Sequence, residues 1–298
     1  ILRTPTVLDA AAEIARDPVL ADLAEWATTV VKLPSVTKVD RLRSEIEDFK
    51  SEFLLFVSAV REVNLRVLGN DAFHTSHVSR DLGGGVLKIE RPDGSGEEWI
   101  VENRMHRPSQ EARAEVGEAV SRDQVKVTVA VPVRLGAAQR RGRFWAYFPL
   151  QDLTSASALF NAPWSVNDDR TTLLRNGYNR EILQTVSAMF ACVLPRLATS
   201  DDPATHLDYL PARGREELSF GDSLLCTHVP RMAREIALVP DATGALKHAM
   251  ALRPLDFLVD VTVPETFHQA WALSPNTGDD VPHWRCYTTT QRIARLRQ

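Results

Sequence analysis

The groups best suited to chemistry stand together in one segment, Asn161-Ala162-Pro163-Trp164-Ser165-Val166-Asn167-Asp168-Asp169-Arg170-Thr171. It falls between an aromatic stretch and a long helical one, which places its amides, carboxylates and guanidinium on a loop. A loop-borne arginine suits a phosphate, because its planar fork donates two hydrogen bonds at once and stays charged. Asp168 and Asp169 can orient that fork from behind. The same residues also permit a plainer arrangement, in which one aspartate caps the following helix and Arg170 pairs with the carboxylates on the surface.

Other candidate clusters read as structural. Arg140, Arg141 and Arg143 beside Trp145 and Tyr147 combine cations with stacking rings, as single-stranded nucleic-acid platforms do. A solvated hairpin turn accounts for them better in a chain of net charge -4. His283, Trp284 and Cys286, like His74 with His77, lack the four-ligand spacing of zinc and read as histidines packed beside aromatics, so no metal site is expected. No GxSxG elbow supports hydrolase chemistry.

The flanking elements follow from periodicity. Apolar spacing through Leu20, Leu23 and Trp26 predicts a short helix after Leu8, and Thr28-Thr29-Val30-Val31, closed by Pro34, predicts a strand. Asp40 to Val60 reads as one amphipathic helix, with Leu42, Ile46, Phe49, Phe53, Phe56 and Val60 on its apolar face. Asn64–Leu68 predicts a strand, and Val86–Glu90 with Glu98–Asn103 a hairpin turning at Pro92-Asp93-Gly94-Ser95-Gly96. Ser109 caps a helix running to about Ser121 with Ala112, Val116 and Val120 inward.

The alternation of Val125, Val127, Val129, Val131 and Val133 predicts a strand with one buried face, which Pro132 pushes toward an edge or a bulge. Phe144–Phe148 is its natural hairpin partner, and the small, polar residues 151–161 read as a flexible loop. Ile182 to Leu197 predicts one long helix, capped at Asn176 or Asn179 and ended or kinked by Pro195. Thr199-Ser200-Asp201-Asp202-Pro203 is the predicted domain boundary, dividing residues 1–200 from a mostly helical region at 201–298.

Composition sets the limits. The chain has 298 residues, 44% hydrophobic and 25% charged, enough for about two globular domains. Its mild acidity gives no support to a nucleic-acid or anionic-membrane partner. No apolar run approaches the roughly 18 residues of a membrane span. Cys192, Cys226 and Cys286 are odd in number and widely spaced, which argues against a disulfide framework and for a reducing, cytoplasmic setting. The chain opens Ile1-Leu2-Arg3 and closes on a cationic helical stretch, so it reads as a segment of a longer protein.

The order Gly142-Arg143-Phe144-Trp145-Ala146-Tyr147-Phe148-Pro149, a small-residue loop, Phe160-Asn161-Ala162-Pro163-Trp164 and Asn167-Asp168-Asp169-Arg170 resembles sacsin-type members of the Hsp90-like (GHKL) ATPases. Trp26 to Pro34 resembles the segment that follows the ATPase domain in these proteins. The resemblance covers about residues 20–200. It implies an α+β fold: a ribosomal S5 domain 2-like mixed sheet with helices on one face, followed by the mostly helical region.

The resemblance also implies a coupling, transducer-like role. In this family a cation on a loop of the second domain reaches the terminal phosphate of ATP held by another domain and couples hydrolysis to movement. Arg170 matches that cation, with Asn161 and Asp169 shaping the loop. ATP and Mg are then expected in the full-length protein and no cofactor in this segment, which alone should not turn over ATP. Asp81-Leu82-Gly83-Gly84-Gly85 matches DxGxG literally, but no upstream Glu stands four residues before Asn64 or Asn70, so it reads as a lead-in to the Val86 strand. The expected partners are the ATPase domain and a protein client, in a chaperone-like, defence or stress role, with Leu238–Gly244 opening a further helical partner region. The competing reading is a binding module for peptide or nucleic acid with no link to ATP.

Overall fold

Valine alternation gives the molecule its central strand, and every residue of Val125–Pro132 except Lys126 is buried. The computed structural model describes residues 9–32, 38–67, 72–117, 120–136, 141–211, 218–255, 262–272 and 280–298. These form two compact units, residues 1–49 and 50–298. The polar stretch Thr199–Pro203, the expected boundary, lies inside the second unit.

The first unit contains three short helices, α1 (Ala10–Arg16), α2 (Pro18–Ala24) and α3 (Val39–Glu47), none with a buried residue. Asp9 and Asp17 cap the first two by accepting hydrogen bonds from backbone amides. Thr28–Val31 is exposed and forms no strand, because β-branched residues need a neighbouring ladder to bond and none is paired with them. Leu33 and Pro34 lie outside the described residues. The single helix expected over residues 40–60 is instead two segments: α3 ends at Glu47, and a separate 3-10 turn, Ser51–Leu55, belongs to the second unit.

The second unit is built on a mixed eight-stranded sheet. Its strands are β1 (Glu62–Val67), β2 (Phe73–Gly83), β3 (Val86–Glu90), β4 (Gly96–His106), β5 (Val125–Pro132), β6 (Gly142–Ala146), β7 (Phe148–Thr154) and β8 (Leu159–Asn161), in the order β1-β2-β3-β4-β5-β8-β6-β7. All neighbours are antiparallel except β6 and β8. Leu68 and Asn70 lie outside the described residues.

Phe144–Phe148 does not pair with β5: β8 intervenes, and β6 forms its hairpin with β7 instead. Residues 151–161 are not a loose loop but the end of β7, a tight turn and β8, with Ala156, Ser157 and Ala158 buried. Gly142 makes this possible, since a Cβ there would sit 2.0 Å from the Ala158 carbonyl oxygen. β5 is interior and buried on both faces rather than one. Pro132 is tolerated as its last residue because β8 reaches only Thr128–Ala130, so the proline lies beyond that ladder. Asp81–Gly85 closes the β2–β3 hairpin, with Gly83, Gly84 and Gly85 all in the left-handed region that glycine alone enters freely.

One sheet face is covered by helices. α4 (Gln110–Ala114), capped by Ser109, and α5 (Gly177–Val193) lie over it, and Pro195 falls in the 3-10 turn that ends α5. α5 buries Ile182, Leu183, Val186, Met189 and Phe190 in a core with Val127, Val129, Val131, Phe144 and Phe160. α6 (Phe220–Ala233) extends the same core. The remaining chain adds α7 (Glu265–Ala272), α8 (Thr290–Leu296) and a small hairpin of β9 (Ala237–Pro240) and β10 (Leu246–His248). Leu238–Gly244, expected to open a helical region, is therefore β9 and its turn.

Arg292 of α8 ties this part down. Its guanidinium makes five hydrogen bonds, to Asp202, to Asp208 and to the Arg285 carbonyl, at 2.6–3.1 Å. Burial alone would raise the Asp202 carboxyl, yet the bonds and charge of Arg292 hold it below its usual value.

Candidate functional site

β8 delivers the chain to the Arg170 loop through the core. Ala162 and Trp164 are buried, and the Trp164 indole donates to the Trp145 carbonyl at 2.9 Å. Beyond Ser165 the chain doubles back on itself: Val166 bridges Leu173, and the Leu174 amide donates to the Ser165 carbonyl at 3.0 Å.

Two elements clamp the base of this loop. On the α5 side, the fully buried Asn179 accepts from the Ser165 amide at 2.9 Å and donates to the carbonyls of Ser165 and Leu174 at 2.6 and 2.8 Å. Asn176 is the helix cap, accepting from the Asn179 amide, and its own amide group donates to the Ser165 hydroxyl. On the β7 side, Asp152 accepts from the Leu173 amide at 2.5 Å and the Gln151 amide donates to the Thr171 carbonyl at 2.7 Å. Burial raises the Asp152 carboxyl above its usual value, and the Leu173 amide only partly offsets this.

Asn167 shapes the tip. Its side-chain oxygen accepts from the amides of Thr171 and Thr172, at 2.8 and 3.0 Å, and its carbonyl accepts from the Arg170 amide at 2.8 Å. Such local bonding is how asparagine builds turns. Asp168, Asp169 and Arg170 are thereby left exposed. Arg170 has φ 55°, in the left-handed region. Among the described residues neither its guanidinium nor either aspartate has an ion-pair partner, so the surface pairing weighed from the sequence is not formed. Neither aspartate caps α5, because Asn176 does.

Asn161 is not part of this loop. It is buried, and its side-chain oxygen accepts from the Tyr147 amide at 2.7 Å, holding the β6–β7 turn where Tyr147 takes φ 64°. Asn167, Asn179 and Asp152 position the loop, a role that sequence reasoning gave to none of them: Asn167 was named only within the segment and Asn179 only as a helix cap. The run Asn167-Asp168-Asp169 carried a turn signal, whereas the reach of Asp152 across 21 residues left no local trace. The α5 N-terminus is already satisfied, because Glu115 accepts from the Gly177 amide at 2.5 Å.

The arrangement can present a cation from a fixed stretch of backbone to an anion arriving from outside. Among the described residues, no three His, Cys, Asp or Glu side chains converge as a metal site. His283 accepts from the Arg285 amide, and burial raises the thiol pKa of Cys286. His74 and His77, an odd number of positions apart on β2, point to opposite faces. Arg140 lies outside the described residues, while Arg143 belongs to a strand rather than to the expected turn. No described helix is long and apolar enough to cross a membrane. No protein-family model matches this chain, and neither does any of the curated proteins or solved structures compared with it.

Proposed function

We propose that the chain is the coupling region of a sacsin-type, Hsp90-like ATPase, with an S5 domain 2-like sheet that carries Arg170 to the terminal phosphate of ATP bound with Mg by another domain. One observation carries this reading. Arg170 stands exposed at the tip of a loop whose base is clamped from β7 and from α5, and its guanidinium is unpaired among the described residues. A loop backbone held in this way presents the guanidinium at a defined place, and it is connected through Asn179 to α5, the longest helix among the described residues. The order of short motifs from Gly142 to Arg170 supplies the rest. The setting is cytoplasmic, the role chaperone-like, and the partners are the nucleotide-binding domain and a protein client.

In the protein that carries the nucleotide-binding domain, Arg170→Ala is expected to slow ATP hydrolysis about a hundredfold while leaving nucleotide affinity within about twofold. Residues 1–298 alone are expected to show no turnover. Unchanged hydrolysis in the variant, or robust turnover by this chain alone, would remove the reading.

A further inference from the structure

The second face of the sheet has a different cover. Among the described residues of the second unit it is crossed by the short segment around Ser51–Leu55, whose Leu55 and Phe56 pack on Ile89, Trp99, Val101, Ala130 and Trp145. Because this cover is narrow, a cleft of about 360 Å³ stays open beside it. Trp99, Pro132, Leu159, Trp145 and Leu153 line it, one from each of β4, β5, β8, β6 and β7, so its floor runs across five strands, roughly 19 Å.

Two properties of this cleft point to an occupant. Its charged lining is unbalanced: Lys50, Arg141 and Arg143 face a single carboxylate, Glu52, and none of the four has an ion-pair partner among the described residues. Independently, Trp99 and Trp145 are each 2% exposed, and both indole N–H groups are buried without a hydrogen-bond partner. Buried donors are nearly always satisfied, and leaving one unmade is costly. Two such donors, on Trp99 of β4 and Trp145 of β6, which both line one cation-lined cleft, are the mark of an absent acceptor.

From this geometry we infer that the cleft binds a small organic anion with a flat apolar body. Arg143 and Lys50 hold the anionic group, the indole N–H groups serve as further donors to its oxygens, and the tryptophan rings, with Leu159, cover the apolar part. The size fits a small ligand, since pockets for such molecules begin at about 300 Å³. A carboxylate and a phosphate ester share the required chemistry. The site uses none of the residues of the Arg170 loop and stands or falls separately from it.

The probe is anilinonaphthalene sulfonate, titrated into the 298-residue chain and followed by its own emission and by quenching of tryptophan. One saturable site is expected, with its uncharged parent, phenylnaphthylamine, binding about tenfold more weakly. Arg143→Gln should weaken the sulfonate about tenfold and leave the parent unchanged. Lys50→Gln, an exposed position, repeats the test if Arg143→Gln loses its cooperative denaturation. Displacement by benzoate alone assigns a carboxylate, and displacement by phenyl phosphate alone assigns a phosphate ester. Displacement by both leaves either anion acceptable. Equal binding of sulfonate and parent, wild-type affinity in both folded variants, displacement by neither competitor, or no saturable site would each overturn the inference.

Discussion

The two faces of the eight-stranded sheet are unequally covered. On one, α5 and α6 lay long side chains into the gaps between Val127, Val129, Val131, Phe144 and Phe160, and the resulting core reaches as far as Ile293 near the chain's end. On the other, among the described residues of the second unit, a five-residue turn and Phe56 do the covering, beside clefts of about 360 and 280 Å³. A helix of 17 residues spans many strands at once, whereas a short 3-10 segment touches few. The difference separates two tasks within one sheet. The closed face fixes the fold and holds the Arg170 loop through Asn179, and the partly open face keeps room for a ligand.

The largest expected effect probes the closed face. Phe160→Ala removes a fully buried ring that packs against Phe144 at a tilt and Phe190 edge-to-face, with centroids 5.6 and 5.7 Å away. It should cost about 4 kcal/mol in denaturant unfolding. A cost below about 1 kcal/mol would mean that this face, too, is loosely filled.

His206 offers the next test, because it is fully buried and bonded to β9. A carbonyl can only accept, so Nε2 carries the proton that bonds the Leu238 oxygen, 2.5 Å away. Burial lowers this imidazole from 6.5 to about 4, against a smaller opposing effect of that bond. Between those values the unfolded chain binds the extra proton. The contribution, about 3 kcal/mol, is therefore complete above about pH 6.5 and lost as pH falls toward 4. Unfolding of wild type and His206→Gln across that window should differ in slope, with the variant flatter. Parallel profiles would show that His206 is not sealed.

The smallest effect is expected on the open face. Phe56→Ala removes a ring whose centroid lies 5.2 Å from that of Trp145, but at a site where side chains can relax into the neighbouring clefts. About 2 kcal/mol is expected, half the cost at Phe160. Equal costs in the two variants would erase the contrast between the faces.

Where local chemistry decides, the sequence was legible. The valines of β5, the β3–β4 turn, the Ser109 cap and the apolar face of α5 all stand where periodicity puts them. Where a partner far along the chain decides, it was not. β2 is rich in His, Thr and Ser and shows no alternation; it is a strand because β1 and β3 supply its ladder. Residues 155–158 look like a loop by composition and are buried because Gly142 lets them pass close to β6. Thr28–Val31 has strand chemistry without a partner. At the candidate site, the exposure of Arg170 on a loop could be read from residue types, whereas Asn161 was assigned to the wrong turn. Its bond to Tyr147 depends on β8 lying beside β6, a pairing no local pattern announces.

That pairing also bears on the order in which the chain can assemble. β6 and β7 form a hairpin from adjacent residues and can close early. β8 follows them in the chain yet lies between β6 and β5, with three residues to bond both neighbours. The hairpin can therefore join β5 only through Leu159–Asn161, which must sit between them. Premature docking of β6 on β5 is the trap this topology sets. The Asn161 side chain, which can reach the Tyr147 amide only after β8 is seated, is the latch that closes it.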